Sequence, residues 1–256
     1  MGNGIVTLLS DFGVSDAYVG VMKGVILGIN PAATIVDISH EIEPHNVLQA
    51  AYVLSNAYCY FPRGTIHLVV IDPGVGSHRK AIIVRTPEAF FVAPDNGVLS
   101  YVAEERIEIV NITNSDFWLS PVSSTFHGRD VFAPVAAYLS LSTPACDFGE
   151  IASSMVMLSE YQPWVEADGT ILGRVIHIDR FGNLITNVRG SDLIGGDLRI
   201  NVKNRSIEGI SSSYFEGDEL LAIIGSDGHL EIAFRNGNAS VLLGIECGEI
   251  VKIIPG

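Results

Sequence analysis

The first 145 residues alternate short apolar runs with longer amphipathic stretches. The runs 5–9, 34–38 and 65–71 are rich in β-branched residues and are bounded by turn residues, so they predict strands. The stretches 16–30 and 47–60 repeat apolar positions every three or four residues and predict helices. Strands that alternate with helices of this length are typical of a mostly parallel sheet with helices on both faces.

The same alternation continues to the end of this half of the chain. The runs 81–85 and 90–93 predict a β-hairpin, and 107–112 predicts another strand. A short helix is expected from Asn96, and a longer one over residues 128–141.

After about residue 160 the helical periodicity disappears. Short apolar runs separated by Gly, Asn and Asp turns predict strands at 171–178, 184–188, 198–202, 220–224, 230–234 and 250–254. Regular short strands with little helix favour a small β-barrel or sandwich. The sequence therefore predicts an N-terminal α/β domain over residues 1–155, a linker over 156–169 and a C-terminal β domain over 170–256.

Composition narrows the class of protein. Apolar residues make up 48% of the chain and charged residues 17%, which is typical of a well-buried globular protein. The 15 basic and 29 acidic residues give a net charge of −14, which disfavours nucleic acid and anionic membranes as partners. The three cysteines form no paired motif, and neither a signal peptide nor a membrane-spanning run is recognisable. These features together favour a cytoplasmic protein.

Two acidic loops follow predicted strands of the sheet. Asp11 comes directly after the first strand, and Asp72 opens a glycine-rich loop after the third. Ligands of such sheets bind beyond the carboxyl ends of the strands, so two acidic loops at one edge predict a site there. Either aspartate alone is equally compatible with an ordinary turn. His127, at the start of a predicted helix, is compatible with a role at this edge or with a simple helix terminus.

Several other motifs do not indicate a function by themselves. The loop at Gly74 and Gly76 lacks the spacing of a phosphate-binding loop. His40 and His45 are five residues apart, which places them on different sides of a helix, so we predict no metal site. The C-terminal residues Asp179–Asn183, Ser226 and Glu231 fit hairpin turns for conformational reasons alone.

Six motifs taken together are similar to those of one family. They are Ser10-Asp11-Phe12-Gly13, Val36-Asp37-Ile38-Ser39-His40, Ile71-Asp72-Pro73-Gly74-Val75-Gly76, Ala93-Pro94-Asp95-Asn96-Gly97, Thr125-Phe126-His127-Gly128-Arg129-Asp130 and Asp179-Arg180-Phe181-Gly182-Asn183. The chain resembles the S-adenosylmethionine (SAM) hydroxide adenosyltransferases, which are relatives of the fluorinases and chlorinases. The resemblance runs through the whole chain and implies an α/β domain followed by a β-barrel domain.

The resemblance also implies an activity and an assembly. Water or hydroxide would displace methionine from the ribose 5′ carbon of SAM, giving adenosine and methionine without a cofactor or metal. Asp72, Arg79 and His127 would activate the water, and Asp11 would hold the ribose hydroxyls. The protein would be a homotrimer, with substrate bound between the first domain of one chain and the second domain of a neighbour.

Further substrate contacts are implied in the second domain. Asp179 and Asn183 would contact the methionine or adenine ends, Phe181 would pack beside them, and Ser226 and Glu231 would complete the pocket. The turn Phe234–Asn238 departs from the pattern of many relatives, so adenine contacts are not transferred to it.

The chemistry agrees with these residue types. A neutral thioether leaves from a sulfonium, so no general acid is needed, and the demand is for a base and a cation near the water. Which of Asp72 and His127 accepts the proton stays open, because neighbouring groups titrate together. The alternatives are a halogenase of the same fold, although its relatives carry Tyr and Thr at the positions of Asp72 and Val75, and a non-catalytic binder of adenosine or SAM.

Overall fold

The computed structural model describes residues 4–102, 107–159, 162–193, 196–216 and 219–256. The chain divides into two compact units, residues 1–158 and 159–256. Residues 160 and 161, within the predicted linker, lie outside the described residues. Each unit has its own sheet and its own hydrophobic core.

The first unit is built on a seven-stranded sheet. Its elements are β1 (Ile5–Ser10), α1 (Tyr18–Ile29), β2 (Thr34–Ser39), α2 (Val47–Tyr58), β3 (Thr65–Val70), β4 (Ala81–Arg85), β5 (Ala89–Pro94), β6 (Glu108–Asn111), α3 (Ala133–Ser140) and β7 (Ile151–Ala152). The strand order is β2-β1-β3-β5-β4-β6-β7. Strands β2, β1, β3 and β5 are parallel, and β4, β6 and β7 extend the sheet in antiparallel pairs. The predicted mostly parallel sheet is therefore confirmed.

Helices cover both faces of this sheet, as predicted. Because side chains alternate along β1, Leu8 packs with Met22 of α1 on one face, while Leu9 packs with Leu54 of α2 on the other. Helix α3 lies on the same face as α1. The longest helices, α1 and α2, have 12 residues each, and none in the described part of the chain is long and apolar enough to cross a membrane.

One predicted element of this unit is wrong. The short helix expected from Asn96 is a series of tight turns, in which Ser100 N–H bonds Gly97 O and Val102 N–H bonds Leu99 O. Gly97 has a φ of 94°, a left-handed conformation that a helix does not accommodate. The Asn96 side chain bonds the carbonyl of Ile71 and the N–H of Val98 instead of capping a helix.

The second unit is an antiparallel, nearly closed barrel. Its elements are β8 (Trp164–Val165), β9 (Ile171–Ile178), β10 (Leu184–Arg189), β11 (Leu198–Val202), β12 (Arg205–Glu208), β13 (Leu220–Ile224), β14 (His229–Phe234), α4 (Ala239–Leu243) and β15 (Ile250–Pro255). The strand order is β12-β11-β15-β9-β10-β14-β13, with β8 paired to β9. Ser211 N–H bonds Ala222 O of β13 just beyond β12, which brings the two ends of the sheet together. The predicted β-barrel domain is confirmed; β12 and α4 were not predicted, nor was β8, which lies within the predicted linker.

A histidine is buried in the first unit. His67 on β3 is fully buried, its Nδ1 lies 2.7 Å from Thr7 Oγ1, and its ring stacks on Phe91 with centroids 5.1 Å apart. Its Nε2 has no hydrogen-bond partner among the described residues. Burial in this apolar setting lowers the pKa of His67 to about 4, because the charged ring would lose its hydration.

As the pH falls, His67 therefore binds a proton at a higher pH in the unfolded chain than in the folded protein. We expect the free energy of unfolding to fall by about 2 kcal/mol between pH 6.5 and pH 4.5 from this group alone. Urea unfolding at the two pH values measures the loss. His67→Phe should lose less stability over that interval than the wild type, and an equal loss in both proteins would contradict this role of His67.

Candidate active site

The fold brings the two predicted acidic loops to one edge of the first sheet. Strands β1 and β3 are adjacent and parallel, with Ser10 paired to Val70, so Asp11 and Asp72 follow neighbouring strand ends. Both aspartates and His127 line one cavity of about 220 Å³. Its other lining residues are Phe12, Pro44, His45, Val70, Val75, Thr125, Phe126 and Gly128. Side chains from three separate loops therefore converge on one space.

Arg79 bridges Asp72 and His127. Its Nε donates to Asp72 Oδ1 at 2.8 Å, and its Nη2 donates to Asp72 Oδ2. The same Nη2 lies 2.9 Å from His127 Nδ1. The Asp72 and Arg79 side chains are only 7% and 12% exposed, so the ion pair is screened little by solvent. We call this arrangement the Asp72–Arg79–His127 network.

The network fixes the protonation of His127. A guanidinium can only donate, so Nδ1 of His127 must accept, and a neutral ring then carries its proton on Nε2. Burial and the positive charge of Arg79 lower the pKa of His127, and the charges of Asp72 and Asp130 only partly oppose them. His127 is therefore neutral near pH 7, with an N–H group available to donate.

A close contact at Gly76 connects the loop that carries Asp72 with the segment that precedes His127. Gly76 has a φ of 77°, and a Cβ at this position would lie 2.4 Å from the carbonyl oxygen of Ser124. The loop that carries Asp72 thus packs directly on the segment that leads to His127. A π-helical turn, Gly128–Phe132, follows His127, and Phe132 packs beneath the Arg79 guanidinium at 5.0 Å.

Asp11 lies beside an aromatic wall of the same cavity. Its side chain is 9% exposed, and Oδ2 accepts the backbone N–H of His45 at 2.9 Å. The rings of Phe12, Tyr18 and Phe126 pack against one another with centroids 5.2 to 5.8 Å apart. A buried carboxylate next to rigid rings can bind a ligand that has both a polar and an apolar part.

In the second unit, Asp179 organises its own turn. Its Oδ1 accepts the N–H groups of Phe181 and Asn183, each at 2.9 Å, and its Oδ2 accepts Nδ2 of Asn183 at 3.0 Å. These bonds agree with the turn interpretation that the composition favours. They also hold Phe181 outward, where its side chain is 74% exposed.

The same turn borders a partly apolar cavity of the second unit. The cavity has a volume of about 840 Å³. It is lined by Asp179, Phe181, Asn183, Tyr214, Phe215, Phe234, Arg235, Asn236 and Gly237. Three of the predicted binding residues are therefore here, and so is most of the turn at which this chain departs from many relatives.

The remaining two residues predicted in this unit, Glu231 and Ser226, do not line this cavity. Glu231, on β14, is buried, and its Oε1 accepts the hydroxyl of Tyr214 at 2.6 Å. Burial raises the pKa of Glu231, and the charges of Asp179 and Asp227 add to the rise, although the Tyr214 bond opposes it. Ser226 is exposed in the turn before β14. Glu231 therefore acts on this cavity through Tyr214.

Several lining residues were missed by the sequence reading. Tyr214 and Phe215 belong to no motif, and their segment gives no strand or helix signal. Phe126 lies in the His127 motif but was given no role. His45 was considered only as a metal ligand, although its backbone N–H reaches Asp11. Among the described residues, no three His, Cys, Asp or Glu side chains are grouped as metal ligands.

Comparison with known proteins agrees with the motifs. Models of the SAM hydroxide adenosyltransferase N-terminal and C-terminal domains match residues 6–149 and 173–252. A Methanocaldococcus jannaschii protein named (R)-S-adenosyl-L-methionine hydrolase is 42% identical, over 98% of this chain and 95% of the relative. The crystal structure of an uncharacterized conserved protein from Thermotoga maritima is 40% identical, with a TM-score of 0.88, and covers 98% of this chain and 99% of that one. A fluorinase of an Actinoplanes species is 29% identical over 75% of this chain and 74% of its own length.

Proposed function

The chain belongs to the SAM hydroxide adenosyltransferase family, and we propose that it hydrolyses SAM to adenosine and L-methionine. The observation that carries the proposal is the Asp72–Arg79–His127 network at the wall of a cavity that Asp11 also lines. A site that only binds a nucleoside has no need of a carboxylate, a guanidinium and a neutral imidazole held at hydrogen-bond distance.

The reaction is a displacement at a saturated carbon. The water oxygen forms a bond to the ribose 5′ carbon, the bond from that carbon to sulfur breaks, and its electron pair stays on the methionine sulfur. The positive sulfonium becomes a neutral thioether, so the leaving group needs no proton. The enzyme has to orient the water in line with the breaking bond and to receive one proton.

Asp72 is the group that we assign to receive this proton. His127 has no free lone pair in its neutral form, because Nδ1 accepts from Arg79 and Nε2 carries hydrogen. A carboxylate has about four acceptor sites, and Arg79 occupies two of those on Asp72. His127 then donates from Nε2 to the water oxygen, which orients it and stabilises its hydroxide character.

The second unit is proposed to complete substrate binding. Asp179 and Asn183, with the exposed ring of Phe181, would meet the methionine or adenine end of SAM, and Glu231 and Ser226 would support that surface. The cavity of the first unit, about 220 Å³, is smaller than a typical ligand pocket. This size supports a pocket that further residues complete, and we propose that a neighbouring copy's second unit supplies them in a homotrimer.

No cofactor or metal is proposed, since the sulfonium itself activates the 5′ carbon and the network supplies the base. The acidic chain, with its net charge of −14, is not expected to bind nucleic acid or a membrane. A cytoplasmic location is proposed as well, because the three cysteines form no paired motif.

Chromatography of a reaction with purified protein and SAM tests the function. We expect adenosine and methionine in equal amounts, at a rate well above the uncatalysed background. A second reaction with added chloride or fluoride should give the same products. A halogenated adenosine would instead indicate a halogenase, and the absence of any product would indicate a binding protein.

The pH dependence of this activity should report His127. Protonating His127 places hydrogen on Nδ1, which can then no longer accept from Arg79, and adds a second positive charge beside it. We expect kcat/KM to fall at acidic pH with a midpoint below 6.5, because burial and Arg79 lower the pKa of His127. Rates measured from about pH 4.5 to about pH 8 give the midpoint. Circular dichroism at each pH separates titration from acid unfolding, and a midpoint above 6.5 would contradict the assignment.

A further inference from the structure

One segment that has no role in the proposed chemistry contacts the loop of Asp11. Residues Asp37–His45 contain the Asp37-Ile38-Ser39-His40 motif and the two histidines that were considered as metal ligands. We call it the Asp37–His45 segment. It begins inside β2 and ends just before α2, so it runs along the same edge of the sheet as Asp11.

The segment holds the Asp11 loop through its backbone at two points. The carbonyl of His40 accepts the N–H of Gly13 at 2.8 Å, and the N–H of His45 donates to Asp11 Oδ2 at 2.9 Å. His45 adopts a φ of 68°, which is unusual for a residue other than glycine. In this conformation the backbone N–H group of His45 points at the Asp11 carboxylate.

Side chains add a third, buried connection. Ser10 Oγ lies 2.7 Å from His40 Nδ1, and His40 Nε2 lies 3.0 Å from Asp37 Oδ1. Lys23 bonds the other Asp37 oxygen at 2.6 Å. The series runs from a partly exposed ion pair inward to Ser10, the residue next to Asp11 in the chain.

The series has the residue types of a serine hydrolase triad, but its geometry excludes that role. Ser10 is fully buried and His40 is 5% exposed, so no substrate can reach the hydroxyl. His40 Nε2 lies within ion-pair distance of Asp37 Oδ1, although it makes no hydrogen bond with any described residue. Nδ1 of the same ring is joined to Ser10 Oγ by a buried hydrogen bond, and Ser10 Oγ accepts the N–H of Phe12 at 3.4 Å. The His40 ring is therefore connected through Ser10 to the Asp11 loop.

We propose that His40 is a positioning residue for Asp11. It fixes the loop on both sides of the aspartate, through Ser10 before it and Gly13 after it, so that the carboxylate stays aimed at the ribose hydroxyls. The inference rests on the proposed function for one premise, that Asp11 binds the ribose diol. A carboxylate displaced by even 1 Å would bind the ribose hydroxyls much less strongly, so the effect should appear in the affinity for nucleosides.

The chain contains a matched control for this contact. Thr7, also on β1, lies 2.7 Å from Nδ1 of His67, a second buried hydroxyl–imidazole pair. His67 is not among the lining residues of the cavity. Replacing either histidine with Phe removes the same kind of bond and keeps an aromatic ring in place.

The test compares the affinities of adenosine and 2′,3′-dideoxyadenosine by calorimetry. The wild type should prefer adenosine, which has the diol. His40→Phe should lower the affinity for adenosine by about tenfold and change the affinity for the dideoxy compound by less than about twofold. His40→Asn, whose amide group can replace Nδ1 as the hydrogen-bond partner of Ser10, should restore most of the preference, and His67→Phe should keep all of it. The ratio of two affinities is insensitive to partial unfolding, since unfolded protein binds neither compound.

Two results would overturn the inference. The first is an unchanged preference for adenosine in His40→Phe, and the second is an equal loss of affinity for both compounds. A wild type without any preference would overturn it too, because Asp11 would then not bind the diol. A wild type that prefers adenosine but does not hydrolyse SAM refutes the proposed function alone, and the comparison of His40 variants still decides the role of His40.

Discussion

Replacing Asp72 with asparagine is expected to lower kcat for SAM hydrolysis by about 10² to 10⁴, the range that a positioned base contributes. The amide keeps the shape of the carboxylate and can accept one bond from Arg79, but it cannot receive the proton of the water. Adenosine affinity should change by less than about fivefold, because the nucleoside needs no proton acceptor. Single-turnover rates and adenosine titrations measure the two effects separately.

The variant also leaves Arg79 without its counter-charge, so stability has to be followed. Both side chains are mostly buried, and we expect unfolding to become easier by about 1 to 3 kcal/mol. Asp95→Asn is a suitable control, since Asp95 also follows a strand but accepts a backbone N–H from Val156. Turnover of Asp72→Asn within a few-fold of this control would show that Asp72 is not the base.

The second large effect is expected from Gly76→Ala. The new methyl group would meet the Ser124 carbonyl at 2.4 Å, and the backbone would also be held at a φ of 77°. Backbone cannot move aside as a side chain can, so the Asp72 loop and the segment before His127 must separate. We expect a loss of stability of about 2 to 4 kcal/mol and a fall in kcat of at least about tenfold.

Gly209→Ala is a control that separates the effect of backbone strain from the effect of the steric clash at Gly76. Gly209 has a similar φ of 72°, but a Cβ there would meet no atom within 4 Å. It should therefore lose about 1 to 2 kcal/mol of stability and no activity. Thermal unfolding and kcat of both variants decide the matter. Equal effects of the two substitutions would show that Gly76 serves only its own backbone conformation.

The fold could largely be predicted from residue patterns. The β-branched runs of the first half are strands because both faces of this sheet are covered, as Leu8 and Leu9 show on opposite sides of β1. The turn at Asn96 was mistaken for a helix because its decisive feature, the left-handed conformation of Gly97, is not visible in the apolar pattern. Strand β12 was missed since only Ile207 of its residues is buried.

The candidate site could be predicted only in part. Strand ends located Asp11 and Asp72, because parallel neighbours end at one edge. Nothing in the spacing showed that Arg79 would lie between Asp72 and His127; that position depends on how the glycine loop folds onto Ser124. The resemblance supplied the connection that the pattern could not supply.

In the second unit, the sequence predicted a local turn but not a contact between distant positions. Asp179 was predicted to contact substrate by resemblance and to form a turn by composition, and its side chain accepts hydrogen bonds from Phe181 and Asn183 within the turn. Tyr214 and Glu231 are 17 residues apart and meet only in the folded barrel. Contacts of this kind depend on sheet register, so a single sequence does not reveal them.

Hydrolysis of SAM in water labelled with oxygen-18 tests the central claim most directly. An attack of water on the 5′ carbon predicts adenosine with one labelled oxygen at the 5′ position and an equal amount of unlabelled methionine, both measured by mass spectrometry. Three results would contradict it: no product above the uncatalysed rate, adenosine without the label, or 5′-methylthioadenosine, which would place the cleavage at another carbon–sulfur bond.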